Sequence, residues 1–159
     1  MRSPLQVPID RIAAGDEVDL GAGGWEVLDQ NRIDLFADAS GDHQWIHVDP
    51  ARAAAEAATA GTIAHGMLTL SWASAQLQQL VAITGASQRI NYGVEKVRFL
   101  EPVPAGCRVR AKARIHGGER RASGVFYRIA VEVEAEGADR PAMVGELLGL
   151  AVAESTPRL

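Results

Sequence analysis

The sequence predicts an α+β protein in which one apolar helix packs against a long antiparallel sheet. Helical patterns occupy the first half of the chain, and alternating apolar and charged residues occupy the second half. The helix that precedes the alternating runs, from about Met67 to Leu80, is apolar on nearly all sides, as is typical of a buried helix. Because a helix and a sheet each bury an apolar face against another layer, we expect this helix to lie on one face of the sheet.

The N-terminal half is expected to contain one short strand and two helices before the apolar one. Residues 25–28 alternate in polarity and predict the strand. Asp29 is a suitable N-cap for the helix that follows, and Gly41 is expected to end that helix. Asp49 followed by Pro50 is typical of the start of another helix.

Four strands are expected after the apolar helix, which Gly85 is expected to end. Residues 102–106 interrupt the first two strands, and turns at 117–118 and 137–139 separate the later ones. The segment 10–19 indicates only a polar lead-in. The alternating runs lie at 94–99, 109–115, 125–134 and 142–152.

Length and composition favour a single domain over residues 1–159 and exclude several classes of function. The net charge is −4 with interleaved signs, whereas a nucleic-acid-binding protein would need a basic stripe. The single cysteine, Cys107, excludes an intrachain disulfide and a cysteine-based zinc site. No metal-ligand spacing, membrane span or apolar leader is visible, so we expect no metal and a cytoplasmic protein.

The segment 39–50 places Asp42 and His47 in an irregular stretch between two predicted helices. A carboxylate and an imidazole on a loop held at both ends can converge on one water and share general acid–base work near neutral pH. The alternative is that Asp42 only caps a helix and His47 is a surface loop residue.

The segment 62–71 places Gly66 at the start of the apolar helix. A free backbone N–H at a helix start lies in the positive end of the helix dipole, where it can polarise a thioester carbonyl. The alternative is a glycine required only for a tight turn into the helix.

Together the two segments resemble the MaoC-like dehydratase family, which includes the (R)-specific enoyl-CoA hydratases. The family's first motif is Gly-Asp, a variable residue, Asn-Pro, an aliphatic residue, His, a variable residue and Asp-Pro. The matching residues are Gly41-Asp42, Ile46-His47, Asp49-Pro50 and, in the second motif, Ile63-Ala64-His65-Gly66-Met67. Gln44-Trp45 replaces Asn-Pro, which is similar to the NodN-like branch of the family. The resemblance covers roughly residues 25–153.

The resemblance implies a hot-dog fold, in which an antiparallel sheet wraps a long central helix, and a homodimer. No metal or redox cofactor is expected, because hydrogen bonds can stabilise a thioester enolate. It implies that Asp42 and His47 activate a water and that the Gly66 amide binds the carbonyl oxygen. Ser74 matches a serine that supports the site, and Gln44 stands in the place of the site-holding Asn. The substrate would be an acyl-CoA or acyl-carrier thioester.

The reaction expected from this resemblance is interconversion of a trans-2-enoyl thioester and an (R)-3-hydroxyacyl thioester. The alternatives are a thioesterase on the same fold and a non-catalytic partner subunit of a dehydratase heterodimer. His65 is expected to be structural, steadying the loop before the helix. Arginines such as Arg89 and Arg98 could contact a nucleotide phosphate, but are more typical of a solvated strand face.

Overall fold

The computed structural model describes residues 3–154, which contain five helices and eight strands. In chain order the elements are β1 (Leu5–Pro8), α1 (Ile9–Ala13), β2 (Val18–Ala22), β3 (Glu26–Leu28), α2 (Gln30–Ser40), α3 (Trp45–Val48), α4 (Pro50–Glu56), α5 (Gly66–Leu80), β4 (Val81–Thr84), β5 (Ala86–Phe99), β6 (Cys107–Arg121), β7 (Gly124–Ala135) and β8 (Met143–Ala153). Among these residues, no helix is both long and apolar enough to cross a membrane.

The main sheet has six antiparallel strands in the order β2-β6-β7-β8-β5, with β3 paired beside β2 on the same side of β6. Among residues 3–154, the strand β5 pairs only with β8 and therefore forms an edge of the sheet. A separate parallel pair joins β1 to β4. The helix α5 packs against this sheet, which confirms the predicted α+β class.

Alternation along the strands directs one set of side chains towards α5 and builds the core. On β6, Val109 and Ile115 are fully buried, and the register places Ala135 and Ile129 of β7 beside them. The helix contributes Trp72 to the same core. The intervening positions on both strands include charged residues that form ion pairs across the outer face.

Three local signals in the N-terminal half are confirmed. The Asp29 side chain accepts a hydrogen bond from the Arg32 amide at 2.9 Å and caps α2. Gly41 ends α2 in the left-handed conformation, with φ of 78°. Asp49 caps α4 by accepting from the Arg52 amide at 3.0 Å, with proline at the first helical position.

Three predictions about segment boundaries are wrong. The turn expected at 117–118 is instead an irregularity within β6, which continues to Arg121, and the chain turns at 122–123. The helix α5 ends at Leu80 rather than Gly85, because the β-branched residues Val81 and Ile83 are buried in β4 beside β1. The segment 10–19 is more than a lead-in. It contains the end of α1 and the start of β2, and it contributes Ile12 to the core.

The expectation that α5 is buried on all sides is also wrong for the single chain. One stripe along the helix is exposed, because it consists of small and polar residues together with one methionine. Its members are Met67, Ser71, Ala75, Gln78 and Gln79. The opposite side of the helix, including Trp72 and Leu77, is buried.

Candidate active site

The loop after α2 is held in place by the chain segment that leads into α5. The amide of Ile63 donates to the carbonyl of Ile46 at 3.1 Å. The side-chain amide of Gln30 donates to the carbonyl of His47 at 2.7 Å, and its oxygen accepts from the Thr62 hydroxyl at 2.5 Å. These bonds fix the backbone between α2 and α4, so the side chains on it have defined positions.

The surroundings of His47 determine which of its ring nitrogens is protonated. The ring is 7% exposed, and Nδ1 lies 2.7 Å from the carbonyl oxygen of Ile63. Because a carbonyl oxygen can only accept, Nδ1 carries the proton and donates. The Nε2 lone pair of neutral His47 is therefore free to take a proton from another molecule.

The carboxylate of Asp42 is oriented by the backbone of its own loop. Its Oδ1 accepts from the Gln44 amide at 3.3 Å, and the Asp42 amide donates to the Ser40 hydroxyl at 3.3 Å. The second carboxylate oxygen has no hydrogen-bond partner among residues 3–154. The side chain is exposed at the protein surface, where a substrate can reach it.

The structure brings Asp42, His47 and His65 together, with one nitrogen or oxygen of each within 4.8 Å of the others. Asp42 and His47 do not bond directly to each other in the described part of the chain. A water that hydrogen-bonds two groups at about 2.8 Å can bridge such a separation. The pair can therefore hold and deprotonate one water.

The same three side chains do not fit a single metal ion well. The His47 and His65 rings stack with their centroids 3.8 Å apart and their planes at 27°. The lone pair of an imidazole nitrogen lies in the plane of its ring. The lone pairs of His47 and His65 therefore lie in two separate, nearly parallel planes. They do not converge on one ion at about 2.0–2.1 Å, as zinc requires. The cluster is better suited to moving protons.

His65 acts on both members of the pair. It is 2% exposed, its Nε2 lies 2.9 Å from the main-chain carbonyl of Asp42, and it stacks on His47. Nε2 therefore carries the proton and donates, while Nδ1 is buried without a partner among residues 3–154. The expected structural role of His65 thus takes a specific form, because its ring donates to the main chain of Asp42.

Gly66 is the first residue of α5 and lines a cavity of about 250 Å³ together with His47. A Cβ added at Gly66 would approach the ring of Phe99 to 2.7 Å, which is closer than real contacts allow. The glycine is therefore required for close packing. Its amide lies at the positive end of a helix of 15 residues, beside the cavity.

Ser74 lies further along α5, whereas Gln44 is next to the pair but bonds to it only through its backbone. Ser74 is eight residues along α5 from Gly66, about 12 Å at the helical rise, and its hydroxyl accepts from Asn91 Nδ2 at 3.4 Å. Gln44 is exposed and contributes its backbone, since its amide donates to Asp42. No side-chain hydrogen bond of Gln44 occurs among residues 3–154.

Sequence reasoning did not identify Gln30 and Thr62, which tie the loop of Asp42 to the entry of α5. Gln30 is 17 residues from its carbonyl partner and 32 residues from Thr62. It appears in the sequence as an ordinary first residue of a helix. A single sequence carries no signal for such a long-range contact.

A carboxylate network anchors α5 to the sheet beneath the site. Glu26 accepts from Trp72 Nε1 at 3.0 Å and from Gln76 Nε2 at 2.9 Å, and Arg32 lies 3.6 Å away. The hydrogen bond from Trp72 holds the pKa of Glu26 below its usual value, with help from Gln76 and Arg32 and against the effect of partial burial. The network therefore fixes the helix that carries Gly66.

Comparisons with known proteins agree with this geometry. Residues 13–137 match the family model described as MaoC like domain. The 3-hydroxyacyl-thioester dehydratase Z of Mycobacterium tuberculosis is 47% identical over 135 residues, which are 84% of this chain and 87% of that protein. Nodulation protein N of Rhizobium leguminosarum bv. viciae is 44% identical over 129 residues, 79% of each chain.

The solved structure of the R-hydratase PhaJ1 from Pseudomonas aeruginosa in the unliganded form has a similar fold. Its TM-score is 0.68 at 25% sequence identity, and the match covers 96% of this chain and 93% of that chain. This likeness confirms the predicted hot-dog fold.

Proposed function

Since the chain belongs to the MaoC-like domain family, we propose that it interconverts trans-2-enoyl and (R)-3-hydroxyacyl thioesters by adding and removing water. The carrier would be CoA or an acyl carrier protein, and the activity that of an (R)-specific enoyl hydratase. The observation that carries the proposal is the proximity of Asp42 and His47, with a carboxylate oxygen and a ring nitrogen within 4.8 Å of each other, next to the cavity that His47 and Gly66 line.

In the hydration direction, Asp42 and His47 hold one water and remove one of its protons. The water oxygen forms a bond to C3 while the double-bond electrons move towards the thioester carbonyl. The Gly66 amide donates to the carbonyl oxygen, on which negative charge develops. The proton held by the pair is then delivered to C2, so the product contains all the atoms of the enoyl thioester and of the water.

The test is the activity of the purified protein, without any partner, on crotonyl-CoA. Hydration predicts loss of the enoyl absorbance, no release of free thiol, and an (R)-3-hydroxybutyryl product. Release of thiol would instead favour the thioesterase alternative, because a hydrolase directs its water to the carbonyl carbon. Absence of both reactions would favour a non-catalytic partner subunit.

The assembly expected from the resemblance is a homodimer, and two surfaces support it. The edge strand β5 exposes apolar side chains, including Ile90, Tyr92 and Val94, and one of its sides pairs with no strand in the described part of the chain. The exposed stripe of α5 lies beside it, since a groove lined by Ser71 and Val94 runs between the two. An unpaired strand edge readily joins the same edge of a second copy.

A further inference from the structure

A second cavity, of about 490 Å³, lies between the C-terminal half of α5, β4 and the inner face of the sheet. A tunnel for a plain alkyl chain would be lined almost entirely by apolar side chains. This cavity is different, since polar groups from three elements reach it. They are Ser74 and Gln78 of α5, Arg89 and Asn91 of β5, and Tyr127 of β7.

Arg89 lies on the inner face of the sheet, not on the solvated face expected from the sequence. The strand register pairs it with Ala151, which is fully buried, and its Nη1 donates to the carbonyl of Val81 in β4. No carboxylate among residues 3–154 forms an ion pair with it. A guanidinium has five N–H donors, of which the carbonyl uses one.

Tyr127 adds a second donor to the cavity. The residue is 3% exposed, and its phenol end lies over Gly149, where an added Cβ would meet Oη at 2.6 Å. Burial raises the pKa of Tyr127, and the nearby charge of Arg89 opposes this effect only in part. The phenol therefore keeps its proton at neutral pH and can donate it in a hydrogen bond.

The cavity is the last of three successive spaces along α5. The first contains His47 and Gly66, the second is lined by Leu70 and Ser74, and Ser74 also lines the third. At the helical rise, Ser74 is about 12 Å from Gly66. The second and third spaces share Ser74 and Asn91. A substrate with its carbonyl at the start of α5 would reach the polar cavity by running along the helix past Leu70.

We propose that Arg89, with Tyr127 and Asn91, binds an anionic group of the substrate, a carboxylate or a phosphate, about 12 Å or more from the thioester carbonyl. The proposal rests on the proposed function, because it takes the ligand to be an acyl thioester. A charge-assisted pair is the favoured way to satisfy a partly buried guanidinium. The group can come from two sources, namely the far end of the acyl chain or the phosphates of CoA.

The test measures dissociation constants by calorimetry with three saturated probes, so that no turnover is needed. The probes are decanoyl-CoA, the mono-CoA thioester of decanedioic acid, and decanoyl-pantetheine. Each is titrated into the wild type, Arg89→Gln and Arg98→Gln. Arg98 is the matched control, since it lies on the same strand, is exposed, and donates only to the carbonyl of Val97 among residues 3–154.

A carboxylate on the acyl chain predicts that Arg89→Gln weakens binding of the dicarboxylic thioester about tenfold or more and leaves decanoyl-CoA unchanged. A CoA phosphate predicts equal weakening of both CoA thioesters and none for decanoyl-pantetheine. Either result supports the proposal. Unchanged binding of all three probes, or equal losses in the Arg98 control, refutes it.

Tyr127→Phe removes only a hydroxyl and tests the site if Arg89→Gln does not fold. It should weaken the same probe severalfold, and no change would count against the proposal. A wild type that binds the probes but does not hydrate crotonyl-CoA would refute the proposed function alone. The anion site would in that case still stand or fall on the binding results.

Discussion

The hydrogen bond from His65 to Asp42 predicts that His65 controls turnover more than stability. His65→Leu keeps a similar side-chain volume but removes the N–H that donates to the Asp42 carbonyl. His65→Gln keeps an N–H at a similar reach. We therefore expect the leucine variant to lose most of its activity and the glutamine variant to lose much less.

The expected effect of His65→Leu on the free energy of unfolding is small, whereas its expected effect on the rate is large. A neutral hydrogen bond contributes about 1 kcal/mol to stability, and a typical domain is stable by about 5–15 kcal/mol, so the leucine variant stays almost entirely folded. A displacement of about 1 Å at a catalytic group can cost on the order of 100-fold in rate. That loss corresponds to about 2.7 kcal/mol of activation free energy.

The assay is kcat on a short enoyl-CoA, measured alongside thermal unfolding for both variants. We expect a loss in kcat of roughly 10- to 100-fold for His65→Leu, well below tenfold for His65→Gln, and a small change in KM for both. Equal losses in the two variants, or losses that follow the unfolding temperature, would refute the positioning role and leave His65 as a packing residue.

Three further predictions concern packing, pH and assembly. Gly66→Ala should reduce kcat more than tenfold, because the added methyl group would collide with the Phe99 ring. The expected readout is this loss of kcat with an unchanged unfolding temperature. Trp72→Phe removes the hydrogen bond to Glu26 and should lower the free energy of unfolding by about 1 kcal/mol at neutral pH. Measured by urea unfolding, the difference in this free energy between variant and wild type should become smaller at acid pH. The reason is that the lowered pKa of Glu26 stabilises the fold above the usual carboxyl range and this contribution is lost as the pH falls through the lowered value. Val94→Lys should convert a dimer to a monomer, as measured by the hydrodynamic mass. Val27→Lys is the control, because Val27 is similarly exposed on β3, and this variant should stay dimeric. Equal masses for the two variants would exclude pairing through β5.

The elements that the sequence predicted correctly depend on contacts within a few residues. Asp29 and Asp49 each cap a helix through an amide three residues ahead, and Gly41 ends a helix through its own backbone conformation. The candidate catalytic segment is of the same kind, because Asp42 and His47 are five residues apart between α2 and α4, with His47 in the short helix α3 rather than in the irregular stretch that the sequence predicted. Residues this close along the chain, such as Asp42 and His47, also lie close together in space.

The features that the sequence did not predict depend on distant partners. Val81 to Thr84 continue the apolar character of α5, but pairing with β1, more than 70 residues earlier, makes them a strand. The sequence favours an outward position for Arg89, because charged residues usually lie on the solvated face of a strand. The register shifts of β5 instead turn it to the inner face. The exposed stripe of α5 was missed because alanine and methionine count as apolar wherever they lie on a helix.

A double-mutant cycle is the direct test of whether Asp42 and His47 act together on one water. Turnover of crotonyl-CoA is measured for Asp42→Asn, His47→Ala and the double variant, with thermal unfolding as the control for folding. We expect each single variant to lose most of its turnover while it stays folded. The double variant should be little worse than either, because both groups serve the same proton transfer. A folded single variant with turnover near that of the wild type, or losses that multiply in the double variant, would contradict this joint action.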